Sequence, residues 1–241
     1  MNASLPANWQ LFDDAETLAQ QLVEEILNIA DQAIQKRGAF HFVTAGGSTP
    51  NRCYQLLAER QADWKNWHIY MGDERVLPFN HAERNSQALL KYWLSNNLIP
   101  VKNIHFINTE AGAQKSAKAY AKLIESIDHF DVCLLGMGED GHTASLFPGH
   151  EQGQSIEQVF VNDNVQQADI IIENNSPKPP SQRVSLSYSA FAKCDLVIKL
   201  ITGESKRDAI KQWLNTEGEL PIQKVQGKQT KVYIAQDSLP D

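Results

Sequence analysis

Residues 134–149 read LLGMGEDGHTASLFPG, and they continue an apolar segment, 131–135, that predicts a β-strand. The stretch contains four glycines, two carboxylates and one histidine. Glycine tolerates positive φ angles and lets a ligand approach the backbone closely. In open α/β sheets, ligands bind beyond the carboxyl ends of the strands, which is where this stretch would lie. We therefore expect it to form an active-site rim that presents Asp140 and His142.

Apolar strands and amphipathic helices alternate along the chain. Strands are predicted at 40–44, 68–71, 104–107, 131–135, 159–161, 169–173, 183–187, 196–201 and 232–235. Helices are predicted after Asp13-Asp14 up to Gly38, at 50–59, from the end of a loop at 72–85 to about 96, at 114–127 and at 204–214. This order predicts an α/β fold with a mostly parallel sheet covered by helices on both faces. No repeat or linker divides the sequence, so we expect a single domain over residues 1–241.

The composition excludes several classes of protein. The chain has 22 basic and 29 acidic residues, and a net charge of −7 disfavours nucleic acid and anionic membranes as partners. There is no signal-peptide pattern and no apolar segment long enough to span a bilayer. The three cysteines include no C-x-x-C pair, so we expect neither a disulfide framework nor a zinc ribbon, and we expect Cys133 to be a small core residue. A soluble protein of a reducing compartment is predicted.

The first glycine-rich loop, Gly46-Gly47-Ser48-Thr49, lies between a predicted strand and a predicted helix. Thr49 followed by Pro50 is typical of an N-cap and a first helical residue. Backbone N–H groups at a helix N-terminus, together with the helix dipole and two hydroxyls, can bind a phosphate. The alternative is an ordinary strand-to-helix turn, because the loop matches neither a Walker A motif nor a complete dinucleotide fingerprint.

The second loop, Gly72-Asp73-Glu74-Arg75, also follows a predicted strand. Asp73 or Glu74 could face a substrate while Arg75 grips an oxyanion, with Arg84 and Asn85 as further polar candidates. Taken alone, three consecutive charged residues are more typical of a solvated loop.

Histidine can act as a general base near neutral pH, and His142 has Asp140 two residues earlier to orient it. A metal site is disfavoured because no His or Cys ligand pairing accompanies His142. Further along, Lys178, Arg183 and Lys206 adjoin predicted strand ends, although surface lysines are usually only solvated.

Five segments together resemble the 6-phosphogluconolactonase family in their order and spacing: AGGSTP at 45–50, GDERVLP at 72–78, LLGMGEDGHTASLFPG at 134–149, SPKPPSQRVSL at 176–186 and TGESK at 202–206. The third is the most specific, whereas AGGSTP is shared with a wider group of sugar-phosphate enzymes. The resemblance implies a doubly wound, Rossmann-like α/β domain and a cytoplasmic hydrolase of 6-phospho-D-glucono-1,5-lactone in the pentose phosphate pathway. It implies no cofactor.

The resemblance also implies roles for individual residues. His142 would be the general base toward water and Asp140 its orienting partner. The residues expected to contact the phosphorylated substrate are Gly46, Gly47, Ser48, Thr49, Asp73, Arg75, Lys178, Arg183 and Lys206. Which cation binds the phosphate and which the lactone oxyanion stays open, as does the oligomeric state. Many relatives have Ser-Asn at the position of Arg84-Asn85, so the role of Arg84 is in doubt.

Two other functions are compatible with the pattern. One is a glucosamine-6-phosphate deaminase-like isomerase, whose family resembles this chain in GGSTP and DGH but differs after the histidine. The other is a non-catalytic sugar-phosphate sensor, which is disfavoured because no segment is long or basic enough to form a DNA-binding domain. A covalent mechanism is the weaker option, since Ser145 has no G-x-S-x-G context and Cys133 lies within a strand.

Overall fold

Two β-sheets contain the eleven strands of the described residues. A computed structural model of the chain describes residues 5–150, 155–161, 167–215 and 219–240. The strands are β1 (Trp9–Phe12), β2 (Phe40–Thr44), β3 (Trp67–Met71), β4 (Asp73–Arg75), β5 (Ile104–His105), β6 (Val132–Gly136), β7 (Ile156–Val159), β8 (Ile170–Glu173), β9 (Arg183–Leu186), β10 (Leu196–Ile201) and β11 (Gln229–Ala235).

The larger sheet has seven strands, all paired in parallel, in the order β1-β11-β10-β6-β2-β3-β5. Its central strands β6 and β10 are almost entirely buried, which is why they read as continuous apolar runs rather than alternating ones. The predicted mostly parallel α/β sheet flanked by helices is thus confirmed. The short edge strand β1 was not predicted.

Seven α-helices of the described part of the chain accompany the sheets. They are α1 (Ala15–Arg37), α2 (Ser48–Ala58), α3 (Asn85–Tyr92), α4 (Ala113–Glu125), α5 (Tyr188–Ala192), α6 (Arg207–Asn215) and α7 (Pro221–Lys224). The first begins at Asp14, whose carboxylate accepts a 2.7 Å hydrogen bond from the Thr17 backbone, and ends at Gly38 with φ of 82°. Both predicted ends of this helix are confirmed. None of the described helices is long and apolar enough to cross a membrane.

The smaller sheet corrects the sequence-based prediction. Its four strands are antiparallel in the order β4-β9-β8-β7, so the strands predicted near 159, 169 and 183 do not extend the parallel sheet. Strand β4 was predicted as part of a loop because its sequence is Asp-Glu-Arg. It forms a strand by antiparallel pairing with β9, and Glu74 can be buried there because its carboxylate accepts backbone hydrogen bonds from Arg75, Asn85 and Ser86 at 2.8–2.9 Å.

A disulfide bond between Cys133 and Cys194 is a second correction, since no disulfide was expected. Cys133 is a buried core residue on β6, as predicted, and Cys194 lies just before the neighbouring strand β10. The two cysteines are 61 positions apart in the chain, so no local spacing signals their contact. Cys53 is free and buried, and burial raises the pKa of its thiol to about 12.

Candidate active site

A cleft of about 470 Å³ opens at the carboxyl edge of the larger sheet, where β2, β3, β6 and β10 end. The predicted residues that line it are Gly46, Gly47, Ser48, Thr49, Asp73, Arg75, His142, Lys178, Arg183 and Lys206. Asp140 adjoins the cleft through its contact with His142. Five loops that are far apart in the chain therefore meet in one cleft.

The candidate base is held by its neighbour in the loop. The Nδ1 atom of His142 is hydrogen-bonded to Oδ1 of Asp140, and the same oxygen accepts a 3.2 Å bond from the His142 backbone. Partial burial disfavours the Asp140 carboxylate, but the hydrogen bonds and charge of His142 outweigh it and lower the pKa of Asp140. Asp140 is consequently a carboxylate at neutral pH and accepts a hydrogen bond from Nδ1–H.

The turn that carries this pair requires glycine. A Cβ at Gly138 would lie 2.0 Å from Nδ1 of His142 and 2.6 Å from Oδ1 of Asp140. Gly138 instead donates its backbone N–H to the His142 carbonyl at 2.8 Å, and Gly141 has φ of 78°. The glycines predicted to give room to a ligand thus also give room to the imidazole itself.

Phe147 supports the imidazole from inside the protein. Its buried ring lies 4.7 Å from the His142 ring, centroid to centroid. The guanidinium carbon of Arg183 lies 5.6 Å from the centre of the same Phe147 ring. The base and one of the candidate cations therefore pack on a common aromatic side chain.

The first glycine-rich loop, residues 46–49, which we call the anion loop, differs in detail from the prediction. Helix α2 begins at Ser48 with Gly47 as its N-cap, so the prediction of Thr49 as the N-cap is wrong. Gly47 has φ of 122°, and no side chain caps the helix. Its first N–H groups therefore lack a side-chain cap and can donate to an anion. The Thr49 hydroxyl lies 2.5 Å from that of Thr202, which ties this loop to the end of β10.

Two arginines line the cleft, and different backbone carbonyls hold their side chains. Arg75 donates through Nη1 to the backbone carbonyl of Glu83, whereas its buried Nε has no hydrogen-bond partner among the described residues. Arg183 is buried, and its Nη2 donates to the carbonyls of Lys178 and Pro179 at 3.0 and 3.3 Å. Burial lowers the pKa of Arg183, and the nearby Arg75 contributes in the same direction while Asp73 opposes it.

Two lysines complete the cationic side of the cleft. Lys178 is exposed, whereas Lys206 is partly buried. Burial lowers the pKa of Lys206, Glu139 opposes this effect and the positive charge of Lys178 adds to it. Both ammonium groups line the same cleft and can attract an anion there.

The second loop separates into structural and cleft-facing residues. Glu74 points into the protein, where Nε of the fully buried Arg84 lies 3.3 Å from its carboxylate. Arg84 also donates to the Ile107 carbonyl at 2.8 Å, which accounts for its presence without any contact with a substrate. Asp73 lines the cleft, but both of its carboxylate oxygens accept hydrogen bonds from protein side chains, those of Asn85 and Ser145.

A group of potential metal ligands lies away from the cleft. His129, Asp131 and Asp195 lie near the amino ends of β6 and β10, and their ligand atoms are within 4.8 Å of one another. Arg37 forms an ion pair with Asp131, and Lys228 with Asp195 at 2.7 Å. The carboxylates are thus already neutralised by cations of the protein.

Comparison with known proteins identifies the family. The sequence profile described as "Glucosamine-6-phosphate isomerases/6-phosphogluconolactonase" matches residues 13–234. The chain belongs to this family. One relative, 6-phosphogluconolactonase 3, chloroplastic, of Arabidopsis thaliana, is 30% identical over 229 residues, which cover 88% of this chain and 67% of the relative. The chain therefore spans about two thirds of that relative's length.

Solved structures agree with this assignment. The 6-phosphogluconolactonase of Thermotoga maritima superposes with a TM-score of 0.81 at 27% identity, and the match covers 95% of this chain and 99% of that one. A monomeric glucosamine-6-phosphate deaminase has a TM-score of 0.76 at 19% identity, with 96% and 98% covered. The second match shows the shared fold only.

Some cleft residues of this family member were not found from the sequence. Thr202 and Glu83 line the cleft, and although both lie in segments noted from the sequence, TGESK and the loop at 72–85, neither was named as a site residue. Ser145 was weighed only as a nucleophile, yet it is fully buried and donates to Asp73. The motif Ala-Ser-Leu-Phe-Pro after the histidine indicates the family, but it does not predict the hydrogen bond that the serine donates to Asp73.

Proposed function

We propose that this chain hydrolyses 6-phospho-D-glucono-1,5-lactone to 6-phospho-D-gluconate, a reaction of the pentose phosphate pathway, with His142 as general base for water. One observation carries the proposal: the His142–Asp140 pair, the uncapped start of α2 and four cations open into the same cleft. An anchored anion at one end and a base at the other suit a phosphorylated ester. Family membership and the named relatives support the same activity.

The chemistry follows from the tautomer of the base. Because Nδ1–H of His142 donates to Asp140, Nε2 keeps its lone pair and can accept a proton from water. The resulting hydroxide attacks C1 of the lactone, and cations of the cleft stabilise the tetrahedral oxyanion. The ring C–O bond then breaks, and the imidazolium returns the proton to the leaving ring oxygen. Asp140 stabilises the imidazolium between these two steps.

Substrate binding divides between two groups of residues. We assign the 6-phosphate to the backbone of Gly46 and Gly47, to Ser48 and Thr49, and to the nearby cations Arg75, Arg183 and Lys206. The buried, unpartnered Nε of Arg75 supports this assignment, because a donor without an acceptor is costly until an anion provides one. Lys178 is assigned to the lactone oxygen. No step of this hydrolysis calls for a cofactor or a metal.

A second function has one observation in its favour. The likeness to a glucosamine-6-phosphate deaminase shows that the fold is compatible with deamination. Against it stand the relatives, which are named as lactonases, and the segment that follows His142.

We further propose that residues 1–241 act as one domain in the cytoplasm. A single hydrophobic cluster that includes residues of both sheets supports the first point. The second is open to direct test by cell fractionation, since the named plant relative is chloroplastic.

The deciding experiment follows the decay of freshly prepared 6-phosphogluconolactone with and without the protein, because this lactone also hydrolyses spontaneously. Ammonia release from glucosamine 6-phosphate is measured in parallel. Lactone decay well above the blank with no ammonia supports the lactonase. Ammonia release without accelerated lactone decay supports the deaminase. If neither activity is observed, the remaining alternative is a sugar-phosphate-binding protein.

A further inference from the structure

The carboxylate of Asp73, on β4, joins the loop that follows β6 to the start of α3. Its Oδ2 accepts a 2.6 Å hydrogen bond from the Ser145 hydroxyl, and its Oδ1 accepts a 2.9 Å bond from the Asn85 side-chain amide. Asp73 is 6% exposed and Ser145 is completely buried. Hydrogen bonds to an ionised acceptor are about twice as strong as those between neutral groups, so this buried junction restrains both donors.

Ser145 connects the junction to the candidate base. It lies three residues after His142, in a turn closed by backbone hydrogen bonds between Thr143 and Leu146 at 2.9 and 3.2 Å. The Thr143 hydroxyl also donates to the carbonyl of Gly136 at the end of β6, at 2.8 Å. This turn is internally fixed. Two hydrogen bonds of Ser145 tie the turn sideways: its hydroxyl donates to Asp73 on β4, and its backbone N–H donates to the Ser185 hydroxyl on β9 at 3.3 Å.

Asn85 connects the same junction to the anion loop. Its amide nitrogen also donates to the Asp73 carbonyl, at 3.0 Å. Its Oδ1 packs so closely on Gly46 that a Cβ there would lie 2.2 Å away. The anion loop thus rests on the amide that Asp73 holds.

We propose that Asp73 is a positioning residue, which sets the distance between the base loop, residues 138–146, and the anion loop through Ser145 and Asn85. This role replaces the substrate contact expected from the sequence. Both carboxylate oxygens are already engaged by the protein, and a carboxylate beside a bound phosphate would repel it. The inference rests on the proposed lactonase for its catalytic consequence, although the coupling of the loops can be measured without it.

Ser145→Ala is the cleanest kinetic probe, because a fully buried hydroxyl does not touch the substrate. Misplacement of a catalytic group by 1 Å can cost about 100-fold in rate. We expect kcat to fall about 10- to 100-fold while KM changes less than about twofold. Ser145→Cys keeps a weaker donor of similar shape, so its kcat is expected to lie between those of Ser145→Ala and wild type.

The matched control is Ser116→Ala. Ser116 is also buried, and its hydroxyl donates to the carbonyls of Asn108 and Gly112, the latter at 2.6 Å, away from the cleft. It reports what the loss of a buried serine hydroxyl does to the fold alone. We expect a comparable loss of thermal stability with kcat and KM unchanged.

Backbone hydrogen exchange of the free protein tests the coupling itself. Ser145→Ala is expected to speed exchange at 138–146 only, whereas Asp73→Asn speeds it at both 138–146 and 46–49. Ser116→Ala is expected to change neither. The proposal is overturned if Asp73→Asn leaves the exchange rate of either loop unchanged. It is also overturned if the enzyme is active and the kcat of Ser145→Ala equals that of Ser116→Ala. A wild-type protein without lactonase activity refutes the proposed function alone, since the exchange result still decides the coupling.

Discussion

The imidazole of His142 donates through Nδ1 to the carboxylate of Asp140, two residues earlier in the same loop. So short a separation makes the pair independent of long-range packing, and Gly138 leaves the space that the ring occupies. The bond fixes one tautomer and leaves Nε2 as the proton acceptor. A general base is thus prepared before any substrate binds.

Asp140→Asn removes the charge that stabilises the imidazolium and permits the wrong tautomer of His142. We expect kcat to fall about 100-fold or more, with the affinity for 6-phosphogluconate nearly unchanged. Initial rates of lactone decay and calorimetric titration with 6-phosphogluconate measure the two quantities. Asp31→Asn, at an exposed position of α1, is the control and should behave as wild type. A kcat within twofold of wild type for Asp140→Asn would exclude the orienting role.

Arg75→Ala removes the donor assigned to the 6-phosphate. Hydrogen bonds to charged groups contribute about 1.5–3 kcal/mol, so we expect KM for the phosphorylated lactone to rise about 10- to 100-fold. The rate with unphosphorylated glucono-1,5-lactone should not change. Arg60→Ala provides the comparison, because the Arg60 side chain forms an exposed ion pair with Glu24. An equal loss with both lactones would contradict the phosphate assignment.

Histidines on the larger sheet predict how stability depends on pH. Burial first, and then neighbouring histidines, lower the pKa of His41 and of His105 to about 4 from the usual 6.5. Between these values the unfolded chain binds more protons than the folded one, so stability falls as the pH drops from 6.5 to 4. Urea unfolding at pH 7 and pH 4.5 measures this loss. The double variant His41→Gln/His105→Gln should lose less stability than wild type over that interval, and an equal loss would refute the assignment.

The parallel sheet and the composition of the cleft were predictable because their signals are local. Strands β2 and β10 are short apolar runs between clear stop signals, and they were predicted at their observed bounds. Residues at the ends of such strands meet at one edge by topology, so the cleft could be anticipated from chain order alone. The His142–Asp140 contact was predictable for the same reason.

Contacts between distant segments could not be predicted. Strand β4 looks like a solvated loop until Glu74 is seen to be buried among backbone donors. The position of Arg84 beside Glu74, the Cys133–Cys194 bond and the hydrogen bond from Ser145 to Asp73 likewise depend on tertiary packing. The N-cap was assigned to Thr49 by its residue type, whereas the helix begins two residues earlier than predicted, at Ser48, because Gly47 adopts a backbone angle that favours glycine.

Turnover of His142→Gln tests the central claim most directly. Initial rates of 6-phosphogluconolactone decay, corrected for spontaneous hydrolysis, give kcat for the variant and for wild type, and titration with 6-phosphogluconate gives the affinity of each. Glutamine keeps polarity but cannot accept a proton from water near neutral pH. The account predicts a kcat lower by about 100-fold or more with the affinity within about twofold. A variant that hydrolyses the lactone as fast as wild type would contradict the account and remove His142 as the base.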